Sequence, residues 1–552
     1  MRTGAQLLVD CLLAQGVDTA FGVPGESYLA VLDALYDTSE RIRMVPNRHE
    51  GGAAFMAEAW SKLTGRVGIV FVTRGPGATN AAIGVHTAMQ NATPMILFVG
   101  QVGTEAAGRD AFQEIDYRAA FGPIAKWATE IGHADRVPET IARAFSVAQS
   151  GRPGPVVVAL PEDVLTAPTG AAPGPSVCVP RPGPGAGARE AVARLLGQAR
   201  APLVIAAGRW SEAGRAALRR FAETNHLPVL ADFRCQDLLD NDSPSYVGDA
   251  GLGKTPGVRA LIREADLLLA LGSELGEITT DGYGLLASPQ PAQRLIHVHP
   301  GPEVPNKVFS AELALACHPE DLLLALDGIA LDGRTGWAAR TAAARADWIA
   351  SLAVPPQPGA LDMGAVMAHL GEVLPEGAIL TNGAGNFTIW LNKHFRFRGG
   401  TRLLAPQSGA MGYGLPAAIA AKLAAPEACV VCFAGDGDFQ MTASELGCAL
   451  QTGARPIVLV LDNGSYGTIR MHQERSYPGR VSFTDIVNPD FAALARAYGF
   501  HGERVERSAD FPAAFARARA SASGALLALA IDVESLTPRQ TLSAMREAAE
   551  KG

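Results

Sequence analysis

The sequence predicts an α/β protein built from three doubly wound parallel-sheet domains. Three observations lead there. At 552 residues the chain exceeds what one core supports, and about 150–200 residues per domain gives three. Two Pro/Gly-rich stretches divide it: 166–188, TAPTGAAPGPSVCVPRPGPGAGA, and 353–360, AVPPQPGA. Neither can hold a helix or a central strand. Between helix-like segments lie short, continuous apolar runs, the pattern of strands buried on both faces of a parallel sheet.

The resulting pieces are 1–165, 189–345 and 361–535. The N-terminal MRTGAQLLVDCLLAQGV is broken by Asp10 and Gln15, so it reads as an amphipathic helix rather than a signal peptide. Strands are expected at 67–73, 95–100 and 155–160 in the first piece. The second piece offers 202–207, 267–272 and 294–298, and the third offers 378–381, 429–434 and 456–461. A net charge of −8 argues against a nucleic-acid partner, which requires a basic face. No run of about 18 uncharged apolar residues predicts a membrane span. Seven cysteines scattered along the chain argue against a disulfide framework and fit a reducing, cytoplasmic setting.

The stretch 435–467, GDGDFQMTASELGCALQTGARPIVLVLDNGSYG, is the most informative. Asp436 follows one expected strand and Asn463 follows the next. In an open α/β sheet, ligands bind beyond the carboxyl ends of strands. A carboxylate and an amide oxygen suit Mg²⁺, which completes its shell with water and phosphate oxygens. Gly435 and Gly437 let backbone N–H groups approach a phosphate. Taken singly, GDG and DNG are ordinary turn sequences.

This stretch resembles the thiamine-diphosphate motif, GDG followed at a distance by NN, with Asp462 standing where the family has its first Asn. The resemblance implies that Asp436, Asn463 and the carbonyl of Ser465 hold Mg²⁺. It places Gly435, Gly437, Asp438, Tyr466 and Gly467 around the cofactor. The first piece carries Arg48-His49-Glu50-Gly51-Gly52-Ala53-Ala54, which resembles the RHE element of the acetolactate synthase branch. There the glutamate activates the cofactor's aminopyrimidine, so Glu50 takes that role. A helix-start acid is the plain alternative. TRGPGATN at 73–80 resembles TSGPGATN and brings in Pro76 and Asn80. Pro24 and Gly25 of the loop FGVPGES belong to the same wall. DAFQE at 110–114 supplies Gln113, and Lys126 matches a family lysine. SGRPGPV at 150–156 resembles the entry to the domain's last strand. In the third piece Gly385, Asn386 and Phe387 fall where the family wraps the diphosphate. Gly409 and Met411 lie in GAMGYGLPAA, with Met411 beneath the cofactor.

The implied activity is decarboxylation of a 2-oxo acid with carboligation, of acetolactate synthase type. Glutamate and metal come from different subunits in this family, which implies a homodimer at least and a homotetramer in many members. Two departures touch specificity. His472 stands where the biosynthetic synthases carry a tryptophan, and its ring suits a polar acceptor or acid–base work. Glu26 replaces a small residue. The middle piece has Gly272-Ser273-Glu274-Leu275 where FAD-binding synthases have Arg-Phe-Asp-Asp, and His297-Val298-His299 lacks an acid for a ribose, so FAD is disfavoured. A metal pair at His297 and His299 lacks a third ligand. Other readings stay open: a 2-oxo acid decarboxylase, a hydroxyacyl lyase, a sulfoacetaldehyde acetyltransferase, an oxidase, or a non-catalytic cofactor-binding paralogue. A nicotinamide enzyme rests only on Gly383-Ala384-Gly385, because Thr388 occupies the third glycine position. The substrates and any regulatory subunit are not legible.

Overall fold

Each of the nine apolar runs becomes a strand, displaced by no more than one residue at either end. The computed structural model describes residues 1–331 and 335–551. Among these residues the strands form three six-stranded sheets, parallel throughout, and a two-residue antiparallel pair. That pair, Arg2–Thr3 with Pro168–Thr169, closes the chain's start onto the first Pro/Gly-rich stretch.

The N-terminal sheet runs in space Arg43–Pro46, Thr19–Gly22, Gly68–Val72, Met95–Gln101, Pro155–Pro161, Trp127–Glu130. The C-terminal sheet repeats that order: Arg402–Leu404, Ile379–Asn382, Val430–Gly435, Ile457–Asp462, Ala525–Ala530, His501–Val505. The middle sheet instead runs Tyr246–Asp249, Val229–Ala231, Pro202–Ala206, Leu267–Leu271, Arg294–Val298, Leu313–Leu315. This is the strand order of a dinucleotide-binding fold. In all three sheets the direction of winding reverses beside the first strand, which opens a crevice at the carboxyl ends.

The N- and C-terminal units share one core. The helix Glu50–Thr64 is buried from Gly51 through Ser61. It packs between its own sheet and the helix Gly414–Ala424, itself buried from Gly414 to Ala421. Both helices are rich in buried alanine, Ala53, Ala54, Ala57 and Ala59 on one and Ala417, Ala418, Ala420 and Ala421 on the other, which keeps the contact thin. On its other flank the helix meets Gly75–Gln90 at Gly84, where an added Cβ would lie 2.2 Å from Ala54 Cβ. Among the described residues no helix is long and apolar enough to cross a membrane.

Gly84 therefore sets the distance between two helices that carry predicted site residues. We expect Gly84→Val to force them apart and cost about 1–3 kcal/mol by overpacking. A urea midpoint lowered without a change in slope is the expected readout. An unchanged midpoint would show that the interface yields without strain.

Candidate functional site

Adjacent strands bring Asp436 and Asn463 together. Val430–Gly435 and Ile457–Asp462 pair in register, Gly435 beside Leu461, so the next residues of each chain emerge side by side. Asp436 is buried; one carboxylate oxygen accepts from Gly437 N at 2.8 Å, the other from Gly464 N and Asn488 Nδ2 at 2.8 Å each. Burial pushes its pKa above the usual carboxylate range, while those three donors pull it down. Asn463 Oδ1 accepts from Ser465 N at 3.1 Å, and the Ser465 carbonyl accepts from Gly467 N at 2.7 Å. Three hard oxygens thus line one cavity, a donor set that fits a divalent cation.

Asp462 has a partner set of its own. Its Oδ1 accepts from the same Asn488 amide at 2.8 Å, and its Oδ2 pairs with Arg504 at 3.0 Å. The added negative charge is thereby compensated beside the Asp436 site. Neither Asn488 nor Arg504 was visible as a site residue in the sequence, since each reaches in from a distant segment.

The cavity measures about 230 Å³. Gly385, Asn386, Phe387, Gly409, Met411, Gly435, Gly437, Asp438, Tyr466 and Gly467 all line it, beside Asp436, Asn463 and Ser465. Several glycines are dictated by close approach. A Cβ on Gly437 would strike the Tyr466 ring at 2.7 Å, and one on Gly467 would strike Leu536 at 2.5 Å. Gly409, at φ +67, faces open space. Asp438 works on the walls: its Oδ1 accepts from Ala384 N at 3.1 Å and Gly412 N at 2.9 Å, tying two loops together. Burial raises its pKa to about 7.

The N-terminal residues assemble separately. Glu50 is the first residue of its helix, and its Oε2 accepts from Asn80 Nδ2 at 2.9 Å. A Cβ on Gly77 would lie 3.3 Å from Glu50 Oε1. Pro24 and Gly25 sit on the neighbouring loop, where Gly25 packs against Thr73 and Ser27 Oγ bonds Thr73 Oγ1 at 2.9 Å. Gln113, in the left-handed region at φ +64, accepts Gly75 N at 3.0 Å through its carbonyl, next to Pro76. Around this group Leu29, Ile83 and Phe112 are exposed, and around the other cavity Tyr466 and Ile469 are. Glu26 is exposed at the same mouth.

Within one chain these two groups do not merge: nothing before residue 384 lines the Asp436 cavity. His472 does not line it either. It is exposed on the helix Gly467–Ser476, one turn beyond Ile469, which does. Lys126 lies outside both groups. Its ammonium bonds the carbonyls of Val147 and Ser150 at 2.5 and 2.7 Å, at the C-terminal end of the helix Val137–Gln149. That is a favourable place for a cation, and burial lowers its pKa to about 8.

What joins the units is Glu445, fully buried, whose Oε1 accepts from Arg48 N at 3.1 Å and His49 N at 2.9 Å, and whose Oε2 accepts from Asn47 Nδ2 at 3.2 Å. A carboxylate from the C-terminal unit thus fixes the backbone that leads into Glu50. A Cβ on Gly52 would lie 2.4 Å from it. Sequence reading missed Glu445 because its partners lie some four hundred positions away.

The middle sheet's crevice opens into a cavity of about 680 Å³ that touches all three units. Asp232 lines it, but its carboxylate is buried and bonded to Ser273 and Thr279. Glu274 pairs with Arg152, and Glu277 adds a further carboxylate. His299 accepts Gly301 N at 2.9 Å, and burial lowers its pKa to about 4. His297 Nε2 meets the Ser273 carbonyl at 2.8 Å.

Comparison with known proteins matches residues 2–120 to the N-terminal TPP binding domain of thiamine pyrophosphate enzymes. Residues 189–326 match their central domain and residues 383–529 their C-terminal TPP binding domain. The chain is 32% identical over 547 residues to the acetolactate synthase isozyme 2 large subunit of Escherichia coli, covering 97% of each protein. It is 33% identical over 524 residues to the acetolactate synthase large subunit of Parasynechococcus marenigrum, covering 91% of this chain and 83% of that one. With the mitochondrial acetolactate synthase catalytic subunit of Saccharomyces cerevisiae the identity is 30%, over 93% of this chain and 78% of that one.

Burial raises the Glu445 pKa from 4.5 to about 7. A carboxyl raised on folding contributes stability that is complete below about pH 4.5 and is lost as pH climbs through 7. Asp438 adds to the same slope. We expect the thermal midpoint of the wild type to fall between pH 5 and 7.5, and Glu445→Gln to flatten that fall. Parallel pH profiles would show that Glu445 stays ionised throughout.

Proposed function

The chain belongs to the thiamine pyrophosphate enzyme family, and on that premise we propose that it decarboxylates a 2-oxo acid, pyruvate in the first instance, and joins the product to a second carbonyl compound. The observation that carries this reading is the retention of both halves of the machinery in their structural settings. Glu50 starts a buried helix, and Asp436 and Asn463 end adjacent strands. A protein that only binds the cofactor has no need of the first.

Thiamine diphosphate, when bound, supplies a carbanion centre and an electron sink, which let the 2-oxo acid lose CO₂ and the remaining fragment add to an acceptor. Asp436, Asn463 and the Ser465 carbonyl would hold Mg²⁺, with Gly385, Asn386, Phe387, Gly435 and Gly437 around the diphosphate. Asp438 ties the two wall loops together through its hydrogen bonds and so sets the width between them. Met411 forms the floor. Glu50, oriented by Asn80, would hold a proton at a carboxyl oxygen for the cofactor's aminopyrimidine ring. Pro24, Gly25, Pro76 and Gln113 would exclude water from that side once a second copy covers it.

Because one chain keeps the groups apart, the working site is proposed to form between two copies, the exposed Leu29, Ile83 and Phe112 of one covering the mouth of the other. A homotetramer would be two such dimers, and a cytoplasmic setting accords with the free cysteines. FAD does not fit the middle cavity well. Glu274 and Glu277 add carboxylates to its wall, and in sequence His299 falls where an acid would hold a ribose. Purified protein without visible flavin absorbance is the expected result.

A second reading is favoured by Glu26. An exposed carboxylate at the mouth repels an anionic acceptor, which points to simple release of an aldehyde or to a neutral acceptor. Incubation with thiamine diphosphate, Mg²⁺ and pyruvate separates the two: acetolactate supports carboligation, acetaldehyde alone supports the second reading, and no CO₂ moves the donor away from pyruvate.

Two substitutions test the assignments. Glu50→Gln should lower turnover by about 10²–10⁴-fold with cofactor affinity little changed. Asp436→Ala should abolish cofactor retention and the response to divalent cations together. Full activity in the first, or unchanged cofactor binding in the second, would remove the residue from its role.

A further inference from the structure

A cavity of about 310 Å³ lies where the middle unit meets the C-terminal unit, apart from the cofactor pocket. Lys254, Lys393, His394, Arg475 and Arg539 line it. Among the described residues Asp249 is the one acid on its wall, and that carboxylate is spent on Lys393 at 2.7 Å and Gly251 N at 2.9 Å. Lys254 is answered from outside by Asp281 at 2.8 Å. Arg475 forms no ion pair among the described residues, and Arg539 bonds only the Ser351 carbonyl, at 3.0 Å. Two guanidinium charges at one cavity therefore lack counter-charges.

The floor is apolar: Val258, Ile389 and Trp348. Trp348 is only 8% exposed, with Arg345 over its ring and Tyr246 against its edge. A basic rim and an apolar floor in a cavity of this size suit a small organic anion. Guanidinium groups match phosphate oxygens in geometry as well as charge.

We propose that this cavity binds a phosphate monoester, with the phosphate between Arg475 and Arg539 and the organic body over Ile389 and Trp348. The site communicates with the cofactor pocket through two shared elements. The helix Thr388–His394 starts behind Asn386 and Phe387, which line the cofactor pocket, and ends in Lys393 and His394. Likewise Ser535 and Leu536 line the cofactor pocket, while Thr537 to Gln540 line the basic one. A ligand that orders these elements from behind tightens the wall against which Gly467 packs.

The test uses protein saturated with thiamine diphosphate and Mg²⁺, so that the diphosphate pocket is closed to competitors. Calorimetric titration with adenosine monophosphate and, separately, with inorganic phosphate reads binding directly and needs no turnover. It stands apart from the proposed activity, which the pyruvate assay judges. We expect one site per chain, binding the monoester at least tenfold more tightly than inorganic phosphate. The double variant Arg475→Ala/Arg539→Ala should bind it at least tenfold more weakly, with cofactor content and basal turnover unchanged. Single variants with intermediate losses would support the same arrangement. No heat with the monoester, binding of inorganic phosphate alone, or equal affinity in the double variant would overturn the proposal.

Discussion

The buried carboxylate of Glu445 is the interaction on which the arrangement of this chain turns. It accepts two backbone N–H groups and one side-chain amide from the segment that leads into Glu50. A polar group removed from water is costly unless its partners are supplied, and here all are supplied by the other unit. The N-terminal helix cannot shift on the C-terminal unit without stranding that carboxylate. Around it the alanine-rich faces of Glu50–Thr64 and Gly414–Ala424 supply area, and a second buried bond, from the Tyr413 hydroxyl to the Glu58 carboxylate, ties the same two helices. Apolar packing holds the two units together, and Glu445, with Glu58, sets their register.

That register has a consequence for the site. It locks Glu50 and Asp436 of one chain into a fixed mutual placement in which Glu50 stays outside the cavity that Asp436 lines. The same two sheets, wound in the same order, each present their carboxyl ends with one half of the chemistry. Exposed apolar side chains surround both halves, a costly arrangement for a solitary chain and an economical one for a pair related by a twofold axis. Asp462 illustrates how a charge can be added beside such a site. Asn488 and Arg504 absorb it, and Asp436 retains its own donors.

Much of this was legible from the residues. β-Branched runs such as 68–72, GIVFV, and 155–161, PVVVALP, announce buried parallel strands because little else accommodates them. The strand Ala525–Ala530, ALLALA, did not announce itself, since alanine and leucine favour helix locally. Burial between Ile457–Asp462 and His501–Val505 overrides that preference. His501–Val505, HGERV, is a polar edge strand with no apolar run to find. In the site, Asp436, Asn463 and Ser465 were legible because a single strand–helix–strand unit carries them. Glu445, Asn488 and Arg504 were not, because their partners meet only in the folded chain. The shared winding of the outer sheets was hidden for the same reason. The sequence registers no periodic repeat, yet the topology repeats.

The central claim is that Glu50 of one copy serves Asp436 and Asn463 of another. Complementation tests it most directly. Chains carrying Glu50→Gln and chains carrying Asp436→Ala, each inactive alone, are unfolded together, refolded as a mixture and assayed for CO₂ release from the accepted 2-oxo acid. Sites shared between copies predict that mixed dimers regain activity, since one of their two sites contains neither substitution. A mixture as inactive as its components, with mixed dimers demonstrably formed, would contradict it and place both halves of the machinery within a single chain.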